Sequence, residues 1–159
     1  MLSSKNIFFG KYDYESPRYL SKEDFDIENK RTNINEGDIL FTIVGTIGRV
    51  CHVRKDFKPF TLQRSVAVLK PRKELVCPNF LVYNLHSMTP LWETESKGVA
   101  QKGIYLRQLA SIPISTPPLS LQQNFSERIE AIEQQKIQIY ATIRDLETMK
   151  ASRMQYWFD

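Results

Sequence analysis

Residues 119–159 read LSLQQNFSERIEAIEQQKIQIYATIRDLETMKASRMQYWFD, with no glycine and no proline. Phe125, Ile129, Ile132, Ile139, Ile143 and Leu146 recur in steps of four and three, with one seven-residue step that spans Lys136. This is the heptad seam of a helix that packs along another helix. At ~1.5 Å per residue the segment predicts a rod of roughly 50 Å, too long for a small domain to cover. The six apolar residues are therefore expected to pair with a second helix, from another chain or from a part of this one outside the 159 residues. Lys136, Lys150 and Arg153 also fall on the seam, where cations cost stability but fix register and partner number. The competing reading is an ordinary surface helix packed on its own domain.

The start of the rod is marked by Pro117-Pro118, because proline lacks an amide proton and its ring blocks the preceding turn. Ser120 is expected to cap the helix, with Gln123 completing a capping box. The expected division is a domain over 1–118 and a spacer helix over 119–159.

Composition narrows the class. The 159 residues are 42% hydrophobic and 25% charged, values of an ordinary globular chain and not of a disordered one. No apolar run approaches the ~20 residues of a membrane span, and Met1-Leu2-Ser3-Ser4-Lys5 has no signal-peptide core. Cys51 and Cys77 form no CxxC pattern and read as buried thiols in a reducing cytoplasm. Cys51-His52 has no second pair at ligand spacing, so no metal site is expected. Residues 119–159 carry two Lys and three Arg against four Glu and two Asp. That is a net −1, so with the chain at +4, residues 1–118 hold +5. A basic domain points to an anionic partner, most commonly nucleic acid.

Within 1–118, Lys5 to Gly10 predicts a short strand ending in a turn, and Ser21 caps a short helix through about Ile27. Asn35-Glu36-Gly37-Asp38 is a turn. Ile39–Val44, Arg49–Val53 and Ser65–Leu69 predict a mostly antiparallel sheet with glycine-bearing corners. Pro78 opens a helix through Leu85. Residues 94–103 read as a mobile loop, Leu106–Ala110 as a helical turn, and Ile112–Ser115 as an edge strand, since Pro113 cannot donate to a ladder. The fold class is α+β: a small β-rich domain with short helices, then one long coiled-coil helix.

Few motifs carry chemistry. Gly45-x-x-Gly48 could let a backbone approach phosphate, but with strands on both sides it reads as a bend. Glu95-x-Lys97 lacks the upstream Asp that a metal-dependent nuclease needs. No Ser-His-Asp, paired-carboxylate, adenine-methyltransferase or glycine-rich cofactor pattern is visible, so neither covalent chemistry nor a cofactor is expected. The loop Lys97 to Gly103 with Tyr105 and Arg107 has side chains suited to DNA, Gln to adenine and Arg or Lys to guanine or phosphate. Lys97, Gln101, Lys102, Tyr105 and Arg107, with Gln63, Arg64 and Lys11, are the expected DNA-binding residues. The alternative for Gln63 and Arg64 is a structural tie between loops.

Several stretches in order carry a resemblance. They are Tyr19-Leu20-Ser21; Gly37-Asp38-Ile39-Leu40-Phe41-Thr42 with Gly45-Thr46-Ile47-Gly48-Arg49-Val50; Gln63 to Pro71; Gly98 to Ile104 with Ile112-Pro113-Ile114; and Pro117-Pro118-Leu119 with Gln122-Gln123. Over Ser21 to Phe158 the chain resembles the specificity subunit of Type I restriction-modification systems. The resemblance implies a target-recognition domain reading one half of a split double-stranded DNA site, a spacer helix, and docking of methyltransferase and restriction subunits, with catalysis in those partners. The family usually has two such domains per chain, its two spacer helices pack antiparallel and fix the distance between half-sites, and it often has Glu-Gln where this chain has Gln122-Gln123. Its domain usually begins some tens of residues before Met1. The chain is thus expected to be a half-subunit or a fragment, working as a homodimer or with a second half through the long helix, and away from membranes. The other function class is a coiled-coil adaptor that binds protein and not DNA.

Overall fold

The computed structural model describes residues 1–95 and 103–158. They divide into two compact units, Met1–Gln122 and Gln123–Asp159. The first begins with a 3₁₀ turn at Ser4–Asn6, then a hairpin of β1 (Ile7–Phe8) and β2 (Lys11–Tyr12) turning at Gly10, and α1 (Lys22–Thr32). A three-stranded sheet follows from β3 (Ile39–Thr42), β4 (Val50–His52) and β5 (Val66–Leu69). Its order is β4-β3-β5, antiparallel throughout. Helices α2 (Pro78–Ser87), α3 (Thr89–Glu95) and α4 (Leu106–Ser111) come next, and α5 (Leu119–Phe158) ends the chain. The architecture is the expected α+β.

Both faces of the sheet are covered, which is why β3 reads as an unbroken apolar run. Ile39, Phe41, Val50 and Ala67 join Val82 and Leu85 of α2, Trp92 of α3 and Leu109 of α4 in one core cluster. The alternate residue Leu40 joins Cys51 in a second cluster with Leu2, Ile7, Phe60 and Leu62. Burial pushes the Cys51 thiol up to about 12, so it stays neutral and acts as a small apolar filler.

The corner between β3 and β4 is held by Thr42. Its Oγ1 donates to the Thr46 carbonyl and accepts from Arg49 N at 2.9 Å. Gly45 and Gly48 have φ of +85° and +86°, a region that side chains with a Cβ rarely adopt. A Cβ on Gly48 would also lie 3.2 Å from Trp92 Cδ1. The Gly-x-x-Gly segment is a bend between two strands, as expected.

Four local expectations need correction. Helix α1 starts at its Ser21 cap but runs five residues past Ile27, to Thr32, ending on Asn33 in a left-handed conformation. Helix α3 extends to Glu95, into the stretch expected to be loop. Ile112–Ser115 is not a strand. Ile112 and Ile114 bury part of their surface against the first core cluster, so the apolar alternation is satisfied by packing without a ladder. Ser120 does not cap α5, which begins one residue earlier at Leu119.

The first turn of α5 is anchored by Gln122, fully buried. Its Oε1 accepts from Cys77 N at 2.9 Å, and its Nε2 donates to the carbonyls of Leu75 (3.0 Å) and Pro117 (2.7 Å). A buried amide with three partners costs little, whereas its loss strands those partners away from water. Gln122→Ala is expected to destabilise Met1–Gln122 by roughly 2 kcal/mol, read as a lower urea midpoint. A loss below ~0.5 kcal/mol would show that water replaces the anchor.

Candidate nucleic-acid interface

The register of the sheet brings four separate segments to one end. Phe41 pairs with Val50, and Thr42 with Val66, so the end of β3 and the starts of β4 and β5 lie together. Ser65 is the junction. Its carbonyl accepts from Ile43 N at 2.9 Å and its hydroxyl from Ser4 N at 3.2 Å. Gln63 N donates to the Leu2 carbonyl at 2.8 Å. On the other side, Ile104 N donates to the Ile43 carbonyl at 2.9 Å, and Val44 forms a bridge with Gly103. Gly45 sits near Ser4, whose Oγ is 3.6 Å from where a Cβ on Gly45 would be.

The β1–β2 hairpin joins this end through Gly10 N, which donates to the Val50 carbonyl at 2.9 Å. Two cations lie near the Phe8 ring, Lys11 Nζ at 5.9 Å and Arg49 Cζ at 5.4 Å from its centroid. Both distances allow cation–π attraction. Arg49 also donates to the Ile7 carbonyl at 3.4 Å.

The charge of the assembled end is one-sided. Residues 3–12, 43–50, 63–66 and 103–108 hold Lys5, Lys11, Arg49, Arg64 and Arg107 and no carboxylate. Asp13, next in sequence, accepts from Asn6 Nδ2 (3.1 Å) and Glu15 N (3.0 Å). Five cations against the single carboxylate of Asp13 leave this end net positive and suited to a polyanion. At the opposite end of the sheet Lys70 Nζ lies 2.7 Å from Asp38 Oδ2.

Of the expected DNA-binding residues, Arg64 and Lys11 are exposed here, and Gln63 is half-buried. Tyr105 and Arg107, both exposed, belong to the segment docked on Ile43. Tyr105 N donates to Gln108 Oε1 at 2.9 Å, fixing the start of α4. Lys97, Gln101 and Lys102 lie outside the described residues. Sequence reading passed over Lys5 and Arg49. Arg49 was legible only as part of a strand-starting Gly48-Arg49-Val50, and nothing local marks Lys5. Their proximity to Arg64 is created by strand pairing.

On α5, Ile132, Ile139, Ile143 and Leu146 are 45–58% exposed, while Phe125 and Ile129 are half-buried. Among the described residues, no helix is long and apolar enough to cross a membrane and no cluster suits a metal ion.

Comparison with known proteins identifies the family. The family model described as Type I restriction modification DNA specificity domain matches residues 1–148. The Type I restriction enzyme EcoBI specificity subunit of Escherichia coli is 35% identical over 127 residues, covering 77% of this chain and 26% of that protein. The putative type I restriction enzyme MjaX specificity subunit of Methanocaldococcus jannaschii is 32% identical over 102 residues, covering 63% of this chain and 23% of that protein. The chain spans about a quarter of the length of the curated relatives it matches. With a family model matching nearly the whole chain, the protein belongs to the Type I restriction modification DNA specificity domain family.

Proposed function

We propose that this chain is a sequence-reading part of a Type I restriction-modification specificity subunit, acting in the cytoplasm. In this reading residues 1–118 read one half of a split target in double-stranded DNA, and residues 119–159 form the spacer helix. The assembly docks methyltransferase and restriction subunits, which perform the chemistry. The chain pairs through Phe125, Ile129, Ile132, Ile139, Ile143 and Leu146 with a second copy or second half. The observation that carries the reading is the net-positive end of the sheet, where the segments bearing Lys5, Lys11, Arg49, Arg64 and Arg107 meet. Such cations hold phosphates, and base edges are read by the groups between them. Lys97, Gln101, Lys102, Tyr105 and Gln63 are assigned to that second role.

Selection of bound duplexes from a random pool, with and without the cognate methyltransferase subunit, tests this. Two short elements at fixed spacing are expected. A pool with no enrichment in either condition would remove the DNA reading and favour a protein-binding adaptor. Five phosphate contacts predict that log K falls against log salt with a slope of roughly −4.5. Arg64→Ala with Arg107→Ala should flatten that slope by about 2 and weaken binding to all sequences alike. An unchanged slope would move the phosphate contacts elsewhere.

A further inference from the structure

Met1–Gln122 also carries an open groove of about 530 Å³, lined from three separated segments: Met1-Leu2, the stretch from Tyr14 to Phe25, and Lys58 to Phe60. That volume falls within the ~300–1,000 Å³ of ligand pockets. Leu2 and Phe60 are buried and Phe25 is half-buried, so part of the lining is apolar. Tyr19, which also lines the groove, is 88% exposed.

Hydrogen bonds set the walls before anything binds. Met1 N donates to the Arg18 carbonyl at 2.7 Å, and Arg18 N donates to the Met1 carbonyl at 3.0 Å. The Tyr14 hydroxyl donates to the Lys58 carbonyl and accepts from Lys58 N, both at 3.0 Å. The Tyr14 ring meets Phe60 edge-on at 5.9 Å between centroids. Between these ties Ser16 has a φ of +47°, a left-handed conformation strained for serine and more so before a proline. Buried Asn6 holds the turn, its Nδ2 donating to the Glu15 carbonyl at 2.7 Å. A preset wall of this kind lowers the ordering cost of binding.

Three features select the occupant. Arg18, Lys22 and Lys58 line the groove and no carboxylate does. Glu15, Glu23, Asp24 and Asp56 are near in sequence but outside the lining. Among the described residues, none of the three cations is in an ion pair. Tyr19-Leu20 lies outside every helix and strand, and among the described residues its backbone N–H and C=O groups have no hydrogen-bond partner. An added extended chain pairs with such groups. The aromatic and aliphatic lining seats an apolar side chain. A DNA duplex presents phosphates and sugars, but neither a peptide main chain nor an apolar side chain. A polypeptide with acidic residues presents all that the groove takes.

We propose that this groove docks an extended acidic segment of a partner protein. The main chain of the segment runs along Tyr19-Leu20. An apolar side chain sits against Leu2, Phe25 and Phe60, and flanking carboxylates meet Arg18, Lys22 and Lys58. The site does not depend on the DNA reading proposed above.

Selection of random peptides displayed on phage, with the full chain as bait, tests the site. The natural chain is expected to enrich sequences with Asp or Glu on either side of a large apolar residue. A chain carrying Lys22→Glu and Lys58→Glu, both at exposed positions, should enrich Lys or Arg in their place. It should also bind a peptide selected on the natural chain about tenfold more weakly or worse. An exchanged charge preference cannot come from unfolding, so the pair of chains separates a folding failure from a docking failure. No enrichment on the natural chain, or the same sequences enriched by both chains, would overturn the proposal. Displacement of the selected peptide by single-stranded oligo(dT) at lower concentration than by the free peptide itself would also overturn it, with unstacked bases as the occupant.

Discussion

Trp92→Ala is expected to destabilise Met1–Gln122 by about 4 kcal/mol, the cost of emptying a large aromatic site in a close-packed core. The indole is fully buried. Its ring meets Phe41 edge-on at 5.1 Å between centroids, and Nε1 donates to the Leu85 carbonyl at 2.9 Å. It also lies against the backbone of Gly48. One side chain thus ties α3 to α2, to the central strand and to the corner that sets the Arg49 backbone. Alanine leaves a void beneath all three and leaves the Leu85 carbonyl with Met88 N, at 3.3 Å, as its remaining donor. The melting temperature should fall by more than ~10 °C. Trp92→Phe keeps most of the volume and loses the hydrogen bond, so its cost should be nearer 1–2 kcal/mol. Calorimetry reads both. A loss below ~1 kcal/mol for alanine would mean that the site collapses and that Trp92 is not the keystone of this unit.

Ile139→Asp is expected to abolish pairing of the long helix while Met1–Gln122 stays folded. Ile139 is 57% exposed in the single chain, so an aspartate there costs the monomer little beyond helix propensity. In a pair the same position is enclosed, and an unpaired charge taken out of water costs several kcal/mol. Each kcal/mol is a factor of about 5 in association, so dissociation should strengthen a hundredfold or more by sedimentation. Ile139→Leu should pair normally, because it keeps volume and apolarity. DNA affinity per reader should be retained and avidity for a two-element site lost. An Ile139→Asp chain as associated as its parent would show that the seam is not the interface.

Amphipathic spacing and turn chemistry were enough to read the elements that local rules control. The strands at Ile39–Thr42, Val50–His52 and Val66–Leu69, the Pro78 helix and the long helix all follow from them. Where reading failed, packing overrode pattern. Ile112-Pro113-Ile114 alternates like an edge strand, yet its isoleucines are held by the core. Trp92 lies in a polar-looking stretch, Thr89–Glu95, that becomes a helix because the indole has a buried place to go.

The sequence by itself determined that a basic α+β domain precedes a rod with an exposed heptad seam, because both are written in periodicities of a few residues and in charge counts. Only the tertiary structure decided which cations share a surface. Lys5, Arg49 and Arg64 stand far apart in the chain, and antiparallel pairing with the Ser65 hydrogen bonds brings their backbones to one end of the sheet. It also decided the part played by Gln122, which reads as one of two adjacent glutamines. It becomes an anchor because Cys77 N and the Leu75 and Pro117 carbonyls have no strand or helix partner and need one supplied by a side chain. Local spacing encodes which face of an element is apolar, but the demand of a buried backbone group is set by whatever the fold places next to it.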